Sequence, residues 1–175
     1  PEPLEEDLTI DWSGGVDVHF EPEGQAGAGG MKLVRFQGDV EVRSPDGAID
    51  AQTLEMHFLA DEAGHAHPDR LYAAGDVRAR NDEQTLFSDV LTATLEQPVP
   101  DSDDAAIDTA EAAGDDPMAN ARVKDFFAQG DVQVLLADGA RAFADELEGD
   151  ARQEQVTLKG GNIVIARSDL LIEHG

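Results

Sequence analysis

Apolar and polar residues alternate along most of this chain, and the alternation restarts after short polar turns. The stretch 36–42 places Phe36, Val40 and Val42 on one face and acidic side chains on the other. A period of two residues is typical of a β-strand with one buried face. Pro-Asp-Gly at 45–47 then favours a tight turn, because proline fixes φ and glycine accepts positive φ. The pattern therefore predicts units of strand, turn and strand.

These units recur, and each is centred on Gly-Asp-Val or a variant of it. The copies lie around Gly38, Gly75, Gly130, Gly160-Gly161 and, in degenerate form, residues 12–18. The interval between the second and third clear copies is longer than the others because it contains residues 97–121, which are rich in Asp, Ala and Pro. We interpret that segment as an acidic, flexible insertion in a single domain spanning 1–175.

The recurring glycine predicts a curved sheet. Glycine inside a strand marks a bulge, a bend or a close backbone approach, and its repetition would bend successive units alike. The best helix candidate is 140–151, but it occupies the second-strand position of its unit and Gly149 interrupts it. The predicted fold class is therefore all-β, built from stacked two-strand repeats with little or no helix.

Alternation assigns a set of apolar side chains to one continuous face. Two interpretations of that face stay open: an ordinary filled core, or a groove for a long apolar ligand, which a repeat favours because each layer adds the same face. The candidate groove-lining residues are Phe36, Val40, Val42, Leu54, Met56, Phe58, Leu71, Val77, Phe87, Leu91, Leu95, Phe126, Val132, Val134, Leu158, Ile163 and Ile165.

Composition narrows the possible partners. The net charge is -26, from 38 acidic and 12 basic side chains, which argues against nucleic acid because phosphate neutralisation needs clustered Lys and Arg. No apolar run approaches the roughly 20 residues that a membrane-spanning helix needs. The sequence begins with neither an initiator Met nor a signal-peptide h-region, so we expect a targeting signal or anchor to be missing from it.

No motif in the sequence indicates catalysis, a cofactor or a resident metal. The chain has no cysteine and no G-x-S-x-G, and its serines fall in turns or repeat positions. His65-Ala66-His67, with Asp61, Glu62 and Asp69 nearby, lacks a third fixed ligand and is a weak metal motif. We predict a protein that is not an enzyme.

The repeat resembles a known family. Gly-Asp-Val, a turn, and then a strand with the pattern Ala/Ser-Asp-x-Leu is similar to the repeat of the OstA/LptA family of lipopolysaccharide-transport proteins. The second strand reads Phe-Ser-Asp-Val-Leu at 87–91 and Phe-Ala-Asp-Glu-Leu at 143–147, and the first unit has Gln52 in place of the Asp. The resemblance covers roughly residues 31–96 and 122–175.

This resemblance implies a fold, a cargo and partners. Members form an open, twisted β-jellyroll whose apolar interior shields acyl chains, and they stack end to end through edge strands to form a bridge across the periplasm. The same domain occurs in LptC and at the start of LptD. Because lipopolysaccharide head groups are anionic, the charge of -26 implies either intervening divalent cations or a different cargo.

The leading hypothesis is a periplasmic, non-catalytic protein that binds lipopolysaccharide or a related glycolipid and takes part in outer-membrane biogenesis. Its partners would be the lipid and other OstA-like domains. It predicts that Asp at Val77 or Val132 abolishes lipid binding. The alternatives are a structural or adhesive β-solenoid with a filled core and acidic exterior, and a calcium-stabilised surface module.

Overall fold

The structure is a computed structural model that describes residues 8–20, 30–45, 47–60, 66–96, 121–167 and 170–174, the last segment and Arg167 by backbone alone. Within these ranges the chain forms strands and no helix, so none of the described segments is a helix that could cross a membrane. The strands are β1 (Thr9–Asp11), β2 (Val16–Phe20), β3 (Met31–Ser44), β4 (Gly47–Ala60), β5 (Ala66–Arg80), β6 (Gln84–Glu96), β7 (Arg122–Leu136), β8 (Arg141–Asp150), β9 (Gln155–Lys159), β10 (Ile163–Arg167) and β11 (Leu170–His174).

All these strands belong to one antiparallel sheet. The long strands β3 to β8 pair in chain order, each with the next. At one end, β1 and β2 pair with the two halves of β3, and at the other, β9 and β10 pair with the two halves of β8, with β11 beside β10. The degenerate first copy and the looser last copy of the repeat are therefore long strands interrupted near their centres. The all-β prediction is confirmed.

Each Gly-Asp-Val marks a β-bulge in the middle of a long strand. Gly38 and Asp39 stand opposite a single residue of β4, and the same two-against-one arrangement recurs at Gly75 and Gly130. The three glycines share a φ of 82°, and the aspartates that follow them have φ between 42° and 48°. Asp tolerates this left-handed region better than most side chains, which explains why Asp follows Gly in every clear copy.

The bulges change how the partner strands present their side chains. Opposite the β5 bulge, Asp89 and Val90 both point outward, so Ser88 and Leu91 both point inward although they are three residues apart. The same break separates Ala51 from Leu54 on β4. Strands β4, β6 and β8 therefore switch side-chain parity where β3, β5 and β7 bulge, and the sheet bends along that line.

Neighbouring units contact each other at the bulges. A side-chain atom added at Gly75 would lie 2.8 Å from Cβ of Gln52, and one at Gly130 would lie 2.7 Å from Cγ of Asp89. In the last unit, Oδ2 of Asp145 accepts a hydrogen bond of 2.9 Å from the backbone N–H of Gly161. The motif residue of one unit thus fills the space that the next unit's glycine leaves.

Apolar rows cross the inner face of the sheet at right angles to the strands. The row beside the bulges contains Leu54, Ala73 and Ala128, which are fully buried. At the bend lie Val77 and Val132, each 1% exposed. Full burial of a Val or Leu side chain stabilises a fold by about 1.5–3 kcal/mol, so the buried residues of both groups stabilise the interior.

Gly149 in strand β8 leaves space for an aromatic ring on the neighbouring strand. Gly149 is paired with Phe126 and is buried, and a side chain there would overlap the Phe126 ring. The absent side chain leaves room for that ring on the inner face. Residues Arg141–Asp150 of the segment 140–151 form a strand, as the position of the segment in the repeat predicts.

Candidate functional site

The inner face of the bent sheet lines a half-open cavity of about 1060 Å³. Its wall is mostly aliphatic, and within the described part of the chain it contains no carboxylate. The lining residues are Leu8, Ile10, Val42, Ser44, Pro45, Gly47, Ala48, Ile49, Leu54, Met56, Leu71, Ala79, Arg80, Asn81, Gln84, Leu86, Leu91, Ala93, Leu95, Ala121, Arg122, Val123, Phe126 and Ala151.

Strands β4 and β6 each contribute lining residues to the cavity from both sides of the bend. On β4, Ile49 lies on one side of the bend and Met56 on the other, and both line the cavity. On β6, Leu86 and Ala93 have the same relation. Because residues so far apart along one strand line one space, the two halves of the sheet fold toward each other about the bulges. The bulges therefore create the cavity.

The rim of the cavity has two lips. The turn lip consists of residues near the β3–β4 and β5–β6 turns, including Pro45, Gly47, Asn81 and Gln84. The strand-end lip consists of Leu95, Ala121, Arg122, Val123 and Ala151. Strand β6 contributes to both lips: Gln84 at its start belongs to the turn lip, and Leu95 near its end belongs to the strand-end lip.

An ion pair beside the strand-end lip connects the end of β6 to the β8–β9 turn. Glu96 accepts hydrogen bonds from Nε and Nη2 of Arg152, the first at 3.1 Å, and so ties the end of β6 to the β8–β9 turn across β7. This hydrogen bonding, together with the charge of Arg152, holds the pKa of the Glu96 carboxyl below its usual value. Both partners of this ion pair are therefore charged at neutral pH.

The structure separates the predicted lining residues into three groups. Those that line the cavity are Val42, Leu54, Met56, Leu71, Leu91, Leu95 and Phe126. Those that lie outside the cavity on the inner face or at the bend are Phe36, Val40, Phe58, Val77, Val132, Val134, Leu158, Ile163 and Ile165. Phe87 alone belongs to the opposite face.

The prediction for Phe87 is wrong, and the parity switch explains the error. Counting back from Leu91 in steps of two places Phe87 inward, but the break at Asp89 and Val90 turns it outward. Its ring lies beneath its cross-strand neighbour Arg78, whose guanidinium carbon is 5.7 Å from the ring centroid. Phe87 is therefore an outer-face cation–π partner.

Sequence reasoning missed part of the cavity wall for the same reason. Ile49, Ala79 and Leu86 form a row on the far side of the bend, and all three line the cavity. Ile49 and Leu86 precede the parity switch of their strands, so a strict period of two separates them from Leu54 and Leu91. The signal that could have found them was the Gly-Asp pair on the neighbouring strand.

The weak metal motif has no support among the described residues. His67 and Asp69 lie in β5, whereas His65, Asp61 and Glu62 fall outside the described ranges. Within those ranges no group of three or more His, Asp or Glu side chains is arranged to hold a metal ion. Residues 97–120 of the acidic insertion also lie outside the described part of the chain.

The single bent antiparallel sheet with an apolar interior is an LptA-like β-jellyroll. No family model and no curated protein matches the sequence. Among solved structures, the chain is similar to the crystal structure of LptH from Pseudomonas aeruginosa, the LptA homologous periplasmic component of the conserved lipopolysaccharide transport device. The match covers 96% of this chain and 99% of LptH, with a TM-score of 0.55 and 9% sequence identity. The predicted jellyroll is thereby confirmed.

Proposed function

We propose that this protein is a non-catalytic, periplasmic lipid-binding protein that shields the acyl chains of lipopolysaccharide or a related glycolipid during transport to the outer membrane. The observation that supports this proposal is the apolar cavity of about 1060 Å³ at the bend of the sheet. The fold shared with LptH, a component of a lipopolysaccharide transport device, supports the cargo and the compartment.

The size and chemistry of the cavity suit acyl chains. Ligand cavities of roughly 300–1,000 Å³ enclose most of the surface of a small molecule, and this one, at about 1060 Å³, is slightly larger. Each CH₂ group moved out of water contributes about 0.8 kcal/mol, so a buried stretch of ten carbons would contribute roughly 8 kcal/mol before the costs of association. An aliphatic wall needs no specific polar contact to bind such a chain.

The alternative of a solenoid with a filled core fits the structure less well. Its interior would leave no space for a ligand, whereas the inner face here encloses a cavity lined from both sides of the bend. The described strands also form one antiparallel sheet in which β3 to β8 pair in chain order, and no pair of these strands requires a solenoid coil.

Filling the cavity should displace the lipid. Ala79 lies in the cavity wall on β5, and Ala79→Trp adds apolar volume there without adding charge. We expect the affinity for dansyl-labelled undecanoic acid to fall at least about tenfold, which corresponds to losing roughly two buried CH₂ groups. Fluorescence titration measures the affinity, and lipid extraction with mass spectrometry measures what copurifies.

Ala74→Trp is the matched control, because Ala74 is on the same strand but on the outer face. It should bind the probe as the original protein does, and thermal melting should show that both variants are folded. Equal binding by the two folded variants would contradict an acyl-chain site in this cavity.

The two ends of the sheet support assembly with other OstA-like domains. Along one edge, β2 leaves Val16 and Val18 about 45% and 44% exposed, and along the other, β9 leaves Val156 54% exposed. Following the pairs across the sheet, the inner row that contains Val16 ends at Leu158, and the row that contains Val18 ends at Val156. Both rows therefore reach each edge unpaired.

These edges are complementary in direction and register. β2 and β9 run in opposite directions, so β2 of a second copy can add to β9 as the next antiparallel strand, provided that β11 leaves the place beside β10 that β1 of that copy would take. With Val16 of the second copy opposite Leu158 and its Val18 opposite Val156, both apolar rows continue without interruption. This arrangement would join the interiors of successive copies.

Cysteine pairs can test this register, because the chain has no cysteine of its own. Two variants, Val16→Cys and Leu158→Cys, should form a disulfide-linked dimer when mixed and oxidised. Directly opposed residues of antiparallel strands have Cα atoms about 4.5–5.5 Å apart, within the range a disulfide spans. Non-reducing electrophoresis detects the product. Thr157→Cys in place of Leu158→Cys points to the outer face and should crosslink poorly; equal yields from both pairs would exclude the proposed register.

A further inference from the structure

The two edges of the sheet differ in how far the chain itself covers them. At one edge, β1 and β2 pair with the two halves of β3, and among the described strands neither has a second partner. At the other edge, β9 and β10 pair with the two halves of β8. Strand β11 covers β10 through five register pairs, from Ile163 with His174 to Arg167 with Leu170, whereas β9 has no such cover among the described strands. Half of this edge is therefore occupied by the chain's own strand.

Strand β11 runs in the direction that β1 of a second copy would have. Both β9 and β10 are antiparallel to β8, so they run the same way, and β1 and β2 run the same way because both are antiparallel to β3. If β2 of a second copy pairs antiparallel with β9, its β1 approaches β10 antiparallel as well. Strand β11 is also antiparallel to β10. The second copy's β1 and the chain's own β11 would thus take the same place in the same orientation.

The register places one row of residues at both β1 and β11. With Val16 of a second copy opposite Leu158, Ile10 of that copy comes to lie opposite Ile165, because each of these two pairs ends a single row of the sheet. Ile165 is already paired with Ile172 of β11. The row that connects the two ends consists of Ile10, Val42, Ile49, Ala79, Leu86, Val134, Ala142, Ile165 and Ile172.

The sequences of the two strands match at these positions. The chain reads Leu-Thr-Ile-Asp at 8–11 and Leu-Leu-Ile-Glu at 170–173. The row beside that of Ile10 connects Asp11 with Glu173, so the two sequences align in the register of the sheet without a shift. Strand β11 therefore repeats both the position and the sequence pattern of β1.

We propose that β11 is an internal substitute for β1 of a second copy, and that end-to-end assembly exchanges one strand for the other on β10. This inference rests on the assembly proposed above and adds its regulation. In a single molecule, β11 pairs with backbone N–H and C=O groups of β10, and an edge covered in this way does not recruit another chain. In an assembly, β1 of the next copy takes over those pairs while its β2 adds to the open strand β9.

The short connection between β10 and β11 makes β11 a strong competitor. Strand β10 ends at Arg167 and β11 begins at Leu170, so two residues connect them. A short connection holds a tethered partner at an effective concentration on the order of millimolar. A second copy at micromolar concentration therefore exchanges its β1 for β11 only when its β2 pairs with β9 at the same time. Strand β11 thus raises the protein concentration at which assembly begins.

A disulfide that retains β11 on β10 tests the exchange in the full chain. Ala166 and Leu171 are register partners, so Ala166→Cys/Leu171→Cys can be closed by oxidation and opened by reduction. We expect the oxidised protein to stay monomeric in sedimentation velocity at concentrations where the reduced protein associates. Thr9→Cys/Arg43→Cys is the matched control, because this pair belongs to the same row but links β1 to β3, where β1 remains in the assembly. Its oxidation should not change association.

Releasing β11 should have the opposite effect. Leu171→Pro/Ile172→Pro removes two consecutive N–H groups, one of which faces β10, because alternate residues of an edge strand pair with the neighbouring strand. We expect the dissociation constant for self-association to fall at least about tenfold, since the second copy no longer competes with a tethered strand. The crosslink between Val16→Cys and Leu158→Cys copies should then form at lower protein concentration. Thermal melting checks that the variant is folded, and the disulfide variant tests the exchange independently of it.

The outcomes separate the exchange from the assembly itself. If the oxidised Ala166→Cys/Leu171→Cys protein assembles as its reduced form does, or if the folded proline variant associates no more tightly than the original chain, the exchange is wrong and the end-to-end joint stands. If the original chain, the reduced disulfide variant and the folded proline variant all stay monomeric up to roughly millimolar concentration, the proposed end-to-end assembly is overturned together with the exchange.

Discussion

Replacing Val132 with aspartate should lower the free energy of unfolding by at least about 4 kcal/mol. Val132 is 1% exposed at the bend of the sheet, opposite Ala144. A carboxyl group there would have no solvent, and burying such a group without a partner costs at least about 4 kcal/mol, a large part of the roughly 5–15 kcal/mol that stabilises a typical domain. Urea unfolding followed by circular dichroism would measure the loss.

The neighbouring Gln133→Asp is the matched control, since Gln133 lies on the outer face of the same strand. Its effect on the free energy of unfolding should stay within about 0.5 kcal/mol, as for other surface changes. A Val132→Asp protein as stable as Gln133→Asp would contradict the burial at the bend. Lipid loss on Asp substitution at Val77 or Val132, expected from the sequence, would therefore report unfolding and not the cargo site, because neither residue lines the cavity.

Replacing Gly130 with alanine should have the second largest effect, a destabilisation of about 2–4 kcal/mol. Two costs combine there: a positive φ of 82°, which costs a non-glycine residue roughly 1–2 kcal/mol, and the overlap of a new Cβ with the Asp89 side chain. Thermal or urea unfolding of the variant gives the total.

Gly139→Ala separates the two costs. Gly139 has nearly the same φ, 84°, but an added Cβ would meet no atom within 4 Å, so this variant carries the backbone cost alone. Adding Asp89→Ala to Gly130→Ala should recover part of the loss, giving a coupling of about 1 kcal/mol or more in a double-mutant cycle. Additive effects would mean that the units do not contact each other at the bulge as described.

Much of the architecture was predictable from local pattern. Alternation located the long strands, and the recurrence of Gly38, Gly75 and Gly130 located their centres. Turn chemistry and strand alternation act over a few residues, so a sequence alone contains them. The interrupted copies at 12–18 and around Gly160-Gly161 followed from the same repeat and proved to be the terminal strands of the sheet.

The site was predictable only in part. Phe87 was assigned to the wrong face, and Ile49 and Leu86 were missed, because the residue opposite a bulge belongs to a different strand. The period-two alternation of apolar residues along one strand does not show that the neighbouring strand contains an extra residue.

The sequence by itself determined the strands, their order of repetition, the apolar face and the places where glycine permits a bulge, because each of these depends on residues close together in the chain. Only the tertiary structure decided that the bulges fold the sheet on itself and that the interior is open rather than filled. Those properties depend on the summed bend of successive strands and on how much volume the side chains of both walls leave unoccupied.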